Sequence, residues 1–264
     1  MRKVVCIFSG ANYDDTTAAI VDRAPKMGAD EVLVYDDKYL ETTEFRKLNS
    51  WLWDHPHKRG YGWYSWKSYI IYDALQRLSP GDVCMYLDAD TVPIANFGML
   101  FDLCAKEGGI TLFEASAWPS QSQWCKTDCY YTMGMPDNRY KSQRAGCARF
   151  SLFQAGNWRA TQFLMEWLTY SVNKLSTTFD PSIIADEPDD FTEHRTEQAI
   201  MTNLAHKYSV PLHREADQHG IGRDLDWKLF PQLFVQCPTV NHLNTTAPVL
   251  GSKYFNITTK CSER

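Results

Sequence analysis

The chain has 264 residues, of which 44% are hydrophobic and 22% charged, a composition typical of an ordinary globular protein. Its formal net charge of −5 argues against a basic surface for nucleic acid or an anionic membrane. No apolar run approaches the length of a membrane helix, and no signal-peptide apolar region precedes the first predicted strand, so a cytoplasmic protein is expected.

The chain begins with two predicted strands separated by a helix. The strands are apolar runs at residues 4–8 and 32–35, and Asp14 or Asp15 is expected to cap the amino end of the helix, which extends to about Ala24. This order favours a parallel sheet with a nucleotide site. The sequence has neither a Gly-x-Gly-x-x-Gly fingerprint nor a Walker A loop, which argues against a dinucleotide enzyme and against that type of ATPase.

The next predicted helix follows a segment, residues 60–67, that reads Gly-Tyr-Gly-Trp-Tyr-Ser-Trp-Lys. Apolar residues from Ile70 to Leu78 recur on one helix face. Lys67 is a cation at the start of this helix, where it opposes the helix dipole, so an anionic partner such as a phosphate is expected.

Two aspartates carry the strongest functional signal. Asp88 and Asp90 follow an apolar run at residues 83–87, which is bounded by a Pro-Gly turn and by Pro93 and is predicted to be a buried strand. Ligands of open α/β sheets bind beyond the carboxyl ends of strands. Two close carboxylates repel each other unless a cation lies between them, and a divalent ion could also hold phosphate oxygens. The alternative is a solvated turn.

The rest of the chain continues the alternation of strands and helices. Further strands are predicted at residues 110–113, 150–154 and 210–213. Helices are predicted at residues 95–105, after Asn157 with apolar residues from Phe163 to Val172 on one face, and from residue 194 onward. Residues 117–148 are expected to be an irregular binding loop, and the acidic residues 176–192 a second loop. No repeat or linker divides the chain, which predicts a single domain.

Three cysteines lie close enough in sequence to raise the question of zinc. Cys125, Cys129 and Cys147 lack the paired Cys-x-x-Cys spacing of a zinc site. Reduced thiols are therefore expected.

Four motifs, in this order, resemble glycosyltransferases of the A-type fold. They are residues 60–67, the strand ending Tyr-Leu-Asp-Ala-Asp90, the Gln-Ala-Gly at 154–156 and the His-Arg-Thr-Glu-Gln at 194–198. The chain is similar to enzymes of bacterial surface-polysaccharide clusters and of algal viruses, and more distantly to the glycogenin and lipooligosaccharide galactosyltransferase group. The resemblance implies one α/β domain, 1–264, with a mixed, mostly parallel central sheet flanked by helices. It also implies a nucleotide-binding half at 1–93 and a sugar and acceptor half at 94–264.

The resemblance also implies roles for matching residues. Asp88 and Asp90 would hold Mn²⁺ or Mg²⁺, completed by His242, for which a surface histidine is an equal alternative. The residues expected at the nucleotide-sugar site are Ser9, Asn12 and Tyr13 for the nucleoside, Asp88 and Ala89 near the ribose, Lys67 and Lys253 for the diphosphate, and Gln154 and Gly156 for the donor sugar. Gln154 stands where the family has Asn. Glu197 and Gln198 match an Asp-Gln pair near the reacting carbon.

The implied activity is metal-dependent transfer of glucose, galactose or xylose from a UDP-sugar to a hydroxyl of a glycan acceptor. Glu197 is the expected base or charge stabiliser, with Asp189 and Asp190 in reserve, and Gln198 could serve a retaining mechanism. Inverting and retaining courses both stay open. The alternatives are a non-catalytic UDP-sugar or carbohydrate-binding relative, and a sugar-nucleotide pyrophosphorylase. The pyrophosphorylase would need a Gly-rich basic loop after the first strand, which residues 9–13 lack.

Overall fold

The computed structural model describes residues 1–10, 12–54, 60–220 and 231–237. Its strands are β1 (Lys3–Ser9), β2 (Glu31–Asp36), β3 (Val83–Asp88), β4 (Thr91–Pro93), β5 (Ile110–Glu114), β6 (Gly146–Gln154), β7 (Leu212–His213) and β8 (Phe234–Gln236). Its α-helices are α1 (Asp14–Arg23), α2 (Asp37–Glu41), α3 (Glu44–Leu48), α4 (Trp51–Asp54), α5 (Trp66–Gln76), α6 (Gly98–Lys106), α7 (Thr127–Thr132), α8 (Asn138–Lys141), α9 (Trp158–Ser171), α10 (Lys174–Thr177) and α11 (Thr196–Lys207). Short 3₁₀ helices lie at Ala24–Met27, Tyr61–Tyr64, Gln121–Gln123 and Gln218–Gly220.

The central sheet has six strands in the order β2-β1-β3-β6-β5-β7 within the described residues. All of them run parallel except β6, which is antiparallel to both β3 and β5. This arrangement confirms the predicted mixed, mostly parallel sheet. The chain leaves β1 toward β2 on one side and β3 lies on the other, so the strand order reverses between β1 and β3. That reversal is where open α/β sheets form their ligand crevice.

Helices cover both faces of the sheet, which explains why its central strands are apolar almost throughout. Side chains alternate along β3: Cys84 and Tyr86 face a core that includes α5, α9 and α11. Val83, Met85 and Leu87 face the core formed with α1 and α6. The period of two places Asp88, the last residue of β3, on the same face as Tyr86.

The direction of β6 decides which of its ends meets the crevice. Leu87 pairs with Phe150, whereas Val83 pairs with Gln154. The amino end of β6 therefore lies at the carboxyl edge of β3, and its carboxyl end lies at the opposite edge.

α9 begins at Trp158, directly after Asn157 as predicted, because the side chain of Asn157 accepts hydrogen bonds from two backbone N–H groups of its first turn. Two local predictions differ from the structure. Asp14 and Asp15 do not cap α1 but lie in its first turn, where the helix dipole still favours acidic residues. Residues 117–148 are not irregular throughout, since they contain α7, α8 and the start of β6. Among the described residues, no helix is both long and apolar enough to cross a membrane.

Candidate active site

A cleft of about 660 Å³ opens at the carboxyl ends of β1 and β3. Its walls come from the loop after β1, the segment that leads into α5, the end of β3, the amino end of β6 and the start of α11. Its lining includes Asn12, Tyr13, Lys67, Tyr86, Asp88, Ala89, Asp90, Trp118, Arg149, Phe179, His194, Arg195, Glu197, Gln198 and Gln236. Most of the predicted site residues in the described part of the chain thus lie in one cleft.

Lys67 lies at the centre of a buried charge cluster. Its Nζ is 3.0 Å from Asp88 Oδ1 and 3.2 Å from Glu197 Oε1. It also donates a hydrogen bond of 3.0 Å to the backbone oxygen of Ala148. The three donors of the ammonium group therefore each have a protein partner. This corrects the expectation of a lone cation awaiting a phosphate, because two carboxylates from other elements supply the anionic partners.

The same cluster shifts several pKa values. Burial by itself lowers the pKa of Lys67, but Asp88 and then Glu197 raise it, and the net pKa is raised, so the ammonium form is favoured. Burial raises the pKa of Tyr86, and Asp88 raises it further because the phenol donates a hydrogen bond of 2.6 Å to Asp88 Oδ1. Burial also raises the pKa of Glu197, against the opposing effect of Lys67.

Asp90 is held differently from Asp88. Its Oδ2 accepts a hydrogen bond of 3.0 Å from the side-chain amide of Gln236, and its Oδ1 accepts one of 3.1 Å from the hydroxyl of Thr91. Burial raises the pKa of Asp90, and the nearby Asp88 raises it further. The charge of Asp88 therefore opposes the ionisation of Asp90, an effect that a cation between the two side chains would relieve.

The donor set of this pair fits a hard divalent cation. Mg²⁺ is commonly held by one or two carboxylates together with substrate phosphates rather than by a complete cage of protein ligands. Consistently, the described residues contain no group of three or more His, Cys, Asp or Glu side chains able to hold a metal ion. His242, the predicted third ligand, and Lys253, a predicted diphosphate contact, lie outside the described residues.

Glu197 is fixed at the start of α11 by a strained turn. Thr196 has a φ of 44°, which is unusual for a β-branched residue. Its hydroxyl donates a hydrogen bond of 2.5 Å to Glu197 Oε2, and the indole of Trp167 donates one of 2.9 Å to the backbone oxygen of Glu197. Such strain persists only where the surroundings hold it and is concentrated at functional sites.

A left-handed turn positions Lys67 in the same way. Gly62, Trp63 and Tyr64 have φ values of 55°, 57° and 58°. Left-handed geometry costs about 1–2 kcal/mol for each residue other than glycine. A Cβ on Gly62 would lie 2.5 Å from the ring of Trp53, so only glycine fits there. The turn reverses the chain so that α5 can begin at Trp66, with Lys67 in its first turn.

Arg149 and Gln236 are site residues that the sequence did not reveal. Arg149 lies in the amino-terminal half of β6, one residue before the predicted start of that strand at residue 150. It forms ion pairs with Glu215 and, at 2.8 Å, with Asp217. Gln236 reaches Asp90 only because β8 pairs with β4. Extending the predicted strand toward its amino end would have included Arg149, but no pattern in the sequence indicated Gln236.

An aromatic and cationic group forms another part of the wall. Trp118 stacks on Trp124, with ring centroids 4.6 Å apart. The guanidinium of Arg195 lies 4.4 Å from the ring centroid of Trp118. This arrangement places a half-buried indole and a cation beside the start of α11.

Two predicted donor-sugar contacts are at the wrong edge of the sheet. Gln154 pairs with Val83, five residues before Asp88 in β3. A Cβ on Gly156 would lie 2.9 Å from the Cα of Pro80, so this glycine serves a close backbone approach at the far edge. The prediction that these two residues cradle the donor sugar is therefore wrong, because β6 runs antiparallel and its carboxyl end points away from the cleft.

Two further predicted residues do not line the cleft. The hydroxyl of Ser9 accepts a hydrogen bond of 3.0 Å from Thr17 at the base of α1. Asp190 is exposed and accepts a hydrogen bond of 2.6 Å from Ser122. Neither Asp190 nor the exposed Asp189 reaches the Lys67 cluster, so the role of reserve base is not supported for either.

The cysteines form no metal site in the part of the chain that is described. Cys125 and Cys129 are buried together, and the side-chain amide of Asn203 donates to Cys125 Sγ at 3.4 Å. Cys147 lies apart from them in β6, where it pairs with Phe113. All three are free thiols in the structure.

Solved structures of glycosyltransferases are similar to this fold. The galactosyltransferase LgtC, solved with donor and acceptor sugar analogs, matches with a TM-score of 0.50 at 12% identity over 99% of this chain and 97% of its own. Mouse xyloside xylosyltransferase 1 matches with a TM-score of 0.47 at 10% identity over 90% of this chain and 98% of its own. The bifunctional WbbM matches with a TM-score of 0.46 at 15% identity over 77% of this chain, which spans only 37% of WbbM.

No protein-family model and no curated protein sequence matches the chain. The similarity to LgtC, which extends over nearly the whole of both chains, confirms the predicted A-type glycosyltransferase fold. At this level of identity it identifies the fold and leaves the chemistry to be argued from the residues.

Proposed function

We propose that this protein is a divalent-cation-dependent glycosyltransferase that moves glucose, galactose or xylose from a UDP-sugar to a hydroxyl of a glycan. The observation that supports this most directly is the cluster of Asp88, Asp90, Lys67 and Glu197 in one cleft at the reversal of strand order. That position is where an open α/β sheet binds nucleotide ligands.

Asp88 and Asp90 are the proposed ligands of Mn²⁺ or Mg²⁺. A bound cation would supply Lewis-acid neutralisation of the charge that develops on the departing nucleoside diphosphate. Asp90 must be ionised to bind it, and its raised pKa makes that ionisation dependent on pH. His242 is retained as a proposed third ligand.

Lys67 is proposed to act through its two carboxylate partners. Its ammonium favours the ionised form of Glu197, and it fixes the oxygens of Asp88 and Glu197 that it contacts. Arg149 also lines the cleft and lowers the pKa of Asp90 against the larger effects of burial and Asp88. Because Glu215 and Asp217 already pair with it, Arg149 is proposed, like Lys67, to act on the electrostatics of the site. Lys253 stays a proposed diphosphate contact.

Glu197 is the proposed acid–base or charge-stabilising group. Its carboxylate lines the cleft, and its pKa is raised toward the range where a general base works well. In an inverting reaction it would accept the proton of the acceptor hydroxyl. In a retaining reaction it would stabilise the cation-like anomeric carbon, with the neighbouring Gln198 on the same face. The anomeric configuration of the product distinguishes the two.

The nucleoside is proposed to lie against the loop after β1. Asn12 and Tyr13 line the cleft there, and Phe8 stacks on Trp66 at a centroid distance of 3.9 Å, which gives that end of the cleft a flat aromatic floor. Ala89 lies between the two aspartates, and its small side chain would allow the donor to approach the backbone there. Flat aromatic surfaces with a few polar groups are typical of cofactor-sized pockets.

A donor screen tests the proposal. UDP-glucose, UDP-galactose and UDP-xylose are each incubated with the protein and Mn²⁺, and UDP release is followed without an acceptor. We expect slow hydrolysis of one donor, lost on chelation and in Asp90→Asn.

Titration calorimetry with UDP provides the companion measurement. Mn²⁺ should tighten UDP binding by about tenfold or more, equivalent to ~1.4 kcal/mol. Metal-dependent binding without turnover of any donor or acceptor would favour the non-catalytic relative. UDP binding that ignores both metal and the Asp90→Asn change would contradict the proposed site.

A further inference from the structure

A second cavity of about 570 Å³ adjoins the cleft. The two share Phe179 and His194 as common wall residues. The rest of its lining includes Lys126, Asp180, Ser182, Asp186, Glu187, Phe191, Thr192 and Glu193. Because His194 lies three residues before Glu197 in the chain, this cavity approaches the cleft from the side of the proposed base.

Hydrogen bonds from neighbouring segments hold the wall of this cavity in place. The carboxylate of Asp128 accepts backbone N–H bonds from Ile183, at 3.0 Å, and Ile184, at 2.9 Å. Glu187 Oε2 accepts the backbone N–H of Thr127 at 2.8 Å. The backbone N–H groups of Thr192 and Glu193 both donate to the backbone oxygen of Gln123, at 2.9 and 3.2 Å. The cavity is therefore largely preformed, as ligand pockets usually are.

The shared wall residue His194 is a structural bridge. Its Nδ1 accepts the backbone N–H of Lys126 at 3.3 Å, and its Nε2 lies 2.8 Å from the backbone oxygen of Ser176. Because a carbonyl oxygen only accepts, Nε2 must carry the proton. Both ring nitrogens are occupied by backbone partners, so His194 shapes the junction of the two cavities.

The lining has the chemistry of a site for a polyhydroxylated ligand. Phe179 and Phe191 are half-buried rings that offer apolar faces. The side chains of Asp180, Asp186 and Glu187 bring acceptor oxygens suited to hydroxyl donors. Neutral sugars present both kinds of surface, with C–H faces and O–H edges.

Charge in the cavity is strongly unbalanced. Four carboxylate side chains line it, from Asp180, Asp186, Glu187 and Glu193. Two cations offset part of this charge. Lys126 in the lining has a buried ammonium that donates to the backbone oxygen of Asp180 at 3.1 Å, and Arg195 beside the lining pairs with Glu193 at 2.6 Å. A carboxylate on a ligand would meet like charge there, which costs binding free energy and thereby selects against that ligand.

We infer that the second cavity holds the acceptor glycan and selects neutral or amino sugars over acidic ones. This inference rests on the proposed transferase function. It adds the location of the acceptor and the class of sugar excluded, namely uronic and other carboxylate-bearing sugars.

The test compares acceptors that differ in one carboxylate. UDP release from the accepted donor is measured with p-nitrophenyl glucoside, galactoside and xyloside, and with p-nitrophenyl glucuronide. We expect at least one neutral glycoside to accelerate UDP release several-fold over donor hydrolysis, and the glucuronide to have a kcat/KM at least tenfold lower.

Reversing one charge of the cavity lining tests whether charge causes the preference for neutral acceptors. Asp186→Lys should narrow the preference for the neutral glycoside over the glucuronide by threefold or more, because it reverses one charge of the lining. The matched control is Asp22→Lys, an equal charge change on exposed α1, which packs on the other face of the sheet and should leave both rates unchanged.

Hydrogen exchange supplies a readout that does not need turnover. Neutral oligosaccharides such as maltotriose and lactose should protect residues 179–193, whereas glucuronic acid should not. Use of the glucuronide as readily as the glucoside would overturn the inference, and so would a panel that neither accelerates UDP release nor protects this segment. If donor hydrolysis is absent as well, the proposed function fails; if it persists, only the acceptor inference does.

Discussion

Asp82 lies just before strand β3, whereas Asp88 ends the strand and Asp90 follows it. The pKa values of Asp82 and Asp90 are shifted in opposite directions at the two edges of the sheet. At the far edge, Asp82 accepts backbone N–H bonds from Arg2, at 2.6 Å, and Ser79, at 3.1 Å. These bonds lower its pKa, the one from Arg2 most. At the cleft edge, burial and then Asp88 raise the pKa of Asp90. The first carboxylate is thus stabilised by backbone donors, whereas the second, which accepts hydrogen bonds from the side chains of Gln236 and Thr91, is the one proposed to bind a cation.

Backbone geometry shows the same contrast. At the far edge the chain closes on itself, with Gly81 N–H donating to Ala155 and Ala155 N–H donating to Asp82, both at 2.8 Å. At the cleft edge, side chains from α5, β3 and α11 meet instead, around Lys67. Polar groups at the far edge stabilise the fold, and those at the cleft edge are proposed to bind a ligand, at some cost in strain and desolvation.

The largest expected effect is the loss of turnover in Asp90→Asn. The amide keeps the shape but removes the charge that a divalent cation needs, so transfer and donor hydrolysis should fall by about 10³-fold or more, ~4 kcal/mol of barrier. Circular dichroism should stay native. Asp82→Asn is the matched control at the far edge: it should keep turnover within a few-fold but lose roughly 1–3 kcal/mol of stability. Transfer by Asp90→Asn within a few-fold of wild type would refute the role.

Lys67→Met should cost stability at the cleft edge. It leaves Asp88 and Glu197 without their shared cation, and breaking a buried ion pair costs roughly 3–5 kcal/mol. The carboxyl groups that lose this cation should take up protons on folding, so the variant should regain stability as the pH falls and lose it as the pH rises. Urea unfolding at several pH values measures this. A loss of stability that is independent of pH would show that packing, rather than charge, is what Lys67 provides.

Gly156→Ala tests the reassignment of the far edge. Gly156 has a φ of 73° and its position is crowded by Pro80, so the substitution should cost roughly 1–3 kcal/mol of stability while the donor KM stays unchanged. Gly134→Ala is the control, since its φ of 68° is similar but nothing lies within 4 Å. The difference between the two variants isolates the clash with Pro80. A raised donor KM in Gly156→Ala with unchanged stability would restore this glycine to the sugar site.

The smallest expected effect is a difference between two acid midpoints, that of the loss of activity and that of unfolding. Activity should decline on acidification with a midpoint above the ordinary glutamate value of 4.5, because burial raises the pKa of Glu197 and Asp90 must also ionise. Asp82 has a lowered pKa, so its contribution to stability is present above the usual aspartate range and is lost only at lower pH. Activity should therefore fail before the fold does. Rates and circular dichroism in the same buffers check this, and coincident midpoints would contradict it.

Much of the fold could be predicted from periodicity. The apolar runs of β1, β2 and β3 and the strand-end aspartates were visible because buried parallel strands are apolar on both faces and end where ligands bind. Glu197 and Gln198 were found through resemblance at the start of α11. The direction of β6 could not be predicted, since an apolar run does not show whether a strand is parallel or antiparallel. For that reason the prediction put Gln154 and Gly156 in the cleft, whereas they lie at the far edge of the sheet.

The sequence by itself determined the alternation of strands and helices and the positions of Asp88 and Asp90, because those depend on side-chain period and on local turn residues. Only the tertiary structure decided that Lys67 pairs with Asp88 and Glu197, that Arg149 and Gln236 reach the cleft, and that a second acidic cavity adjoins it. Those features join residues far apart in the chain, and their partners are set by strand order and direction, which no local pattern encodes.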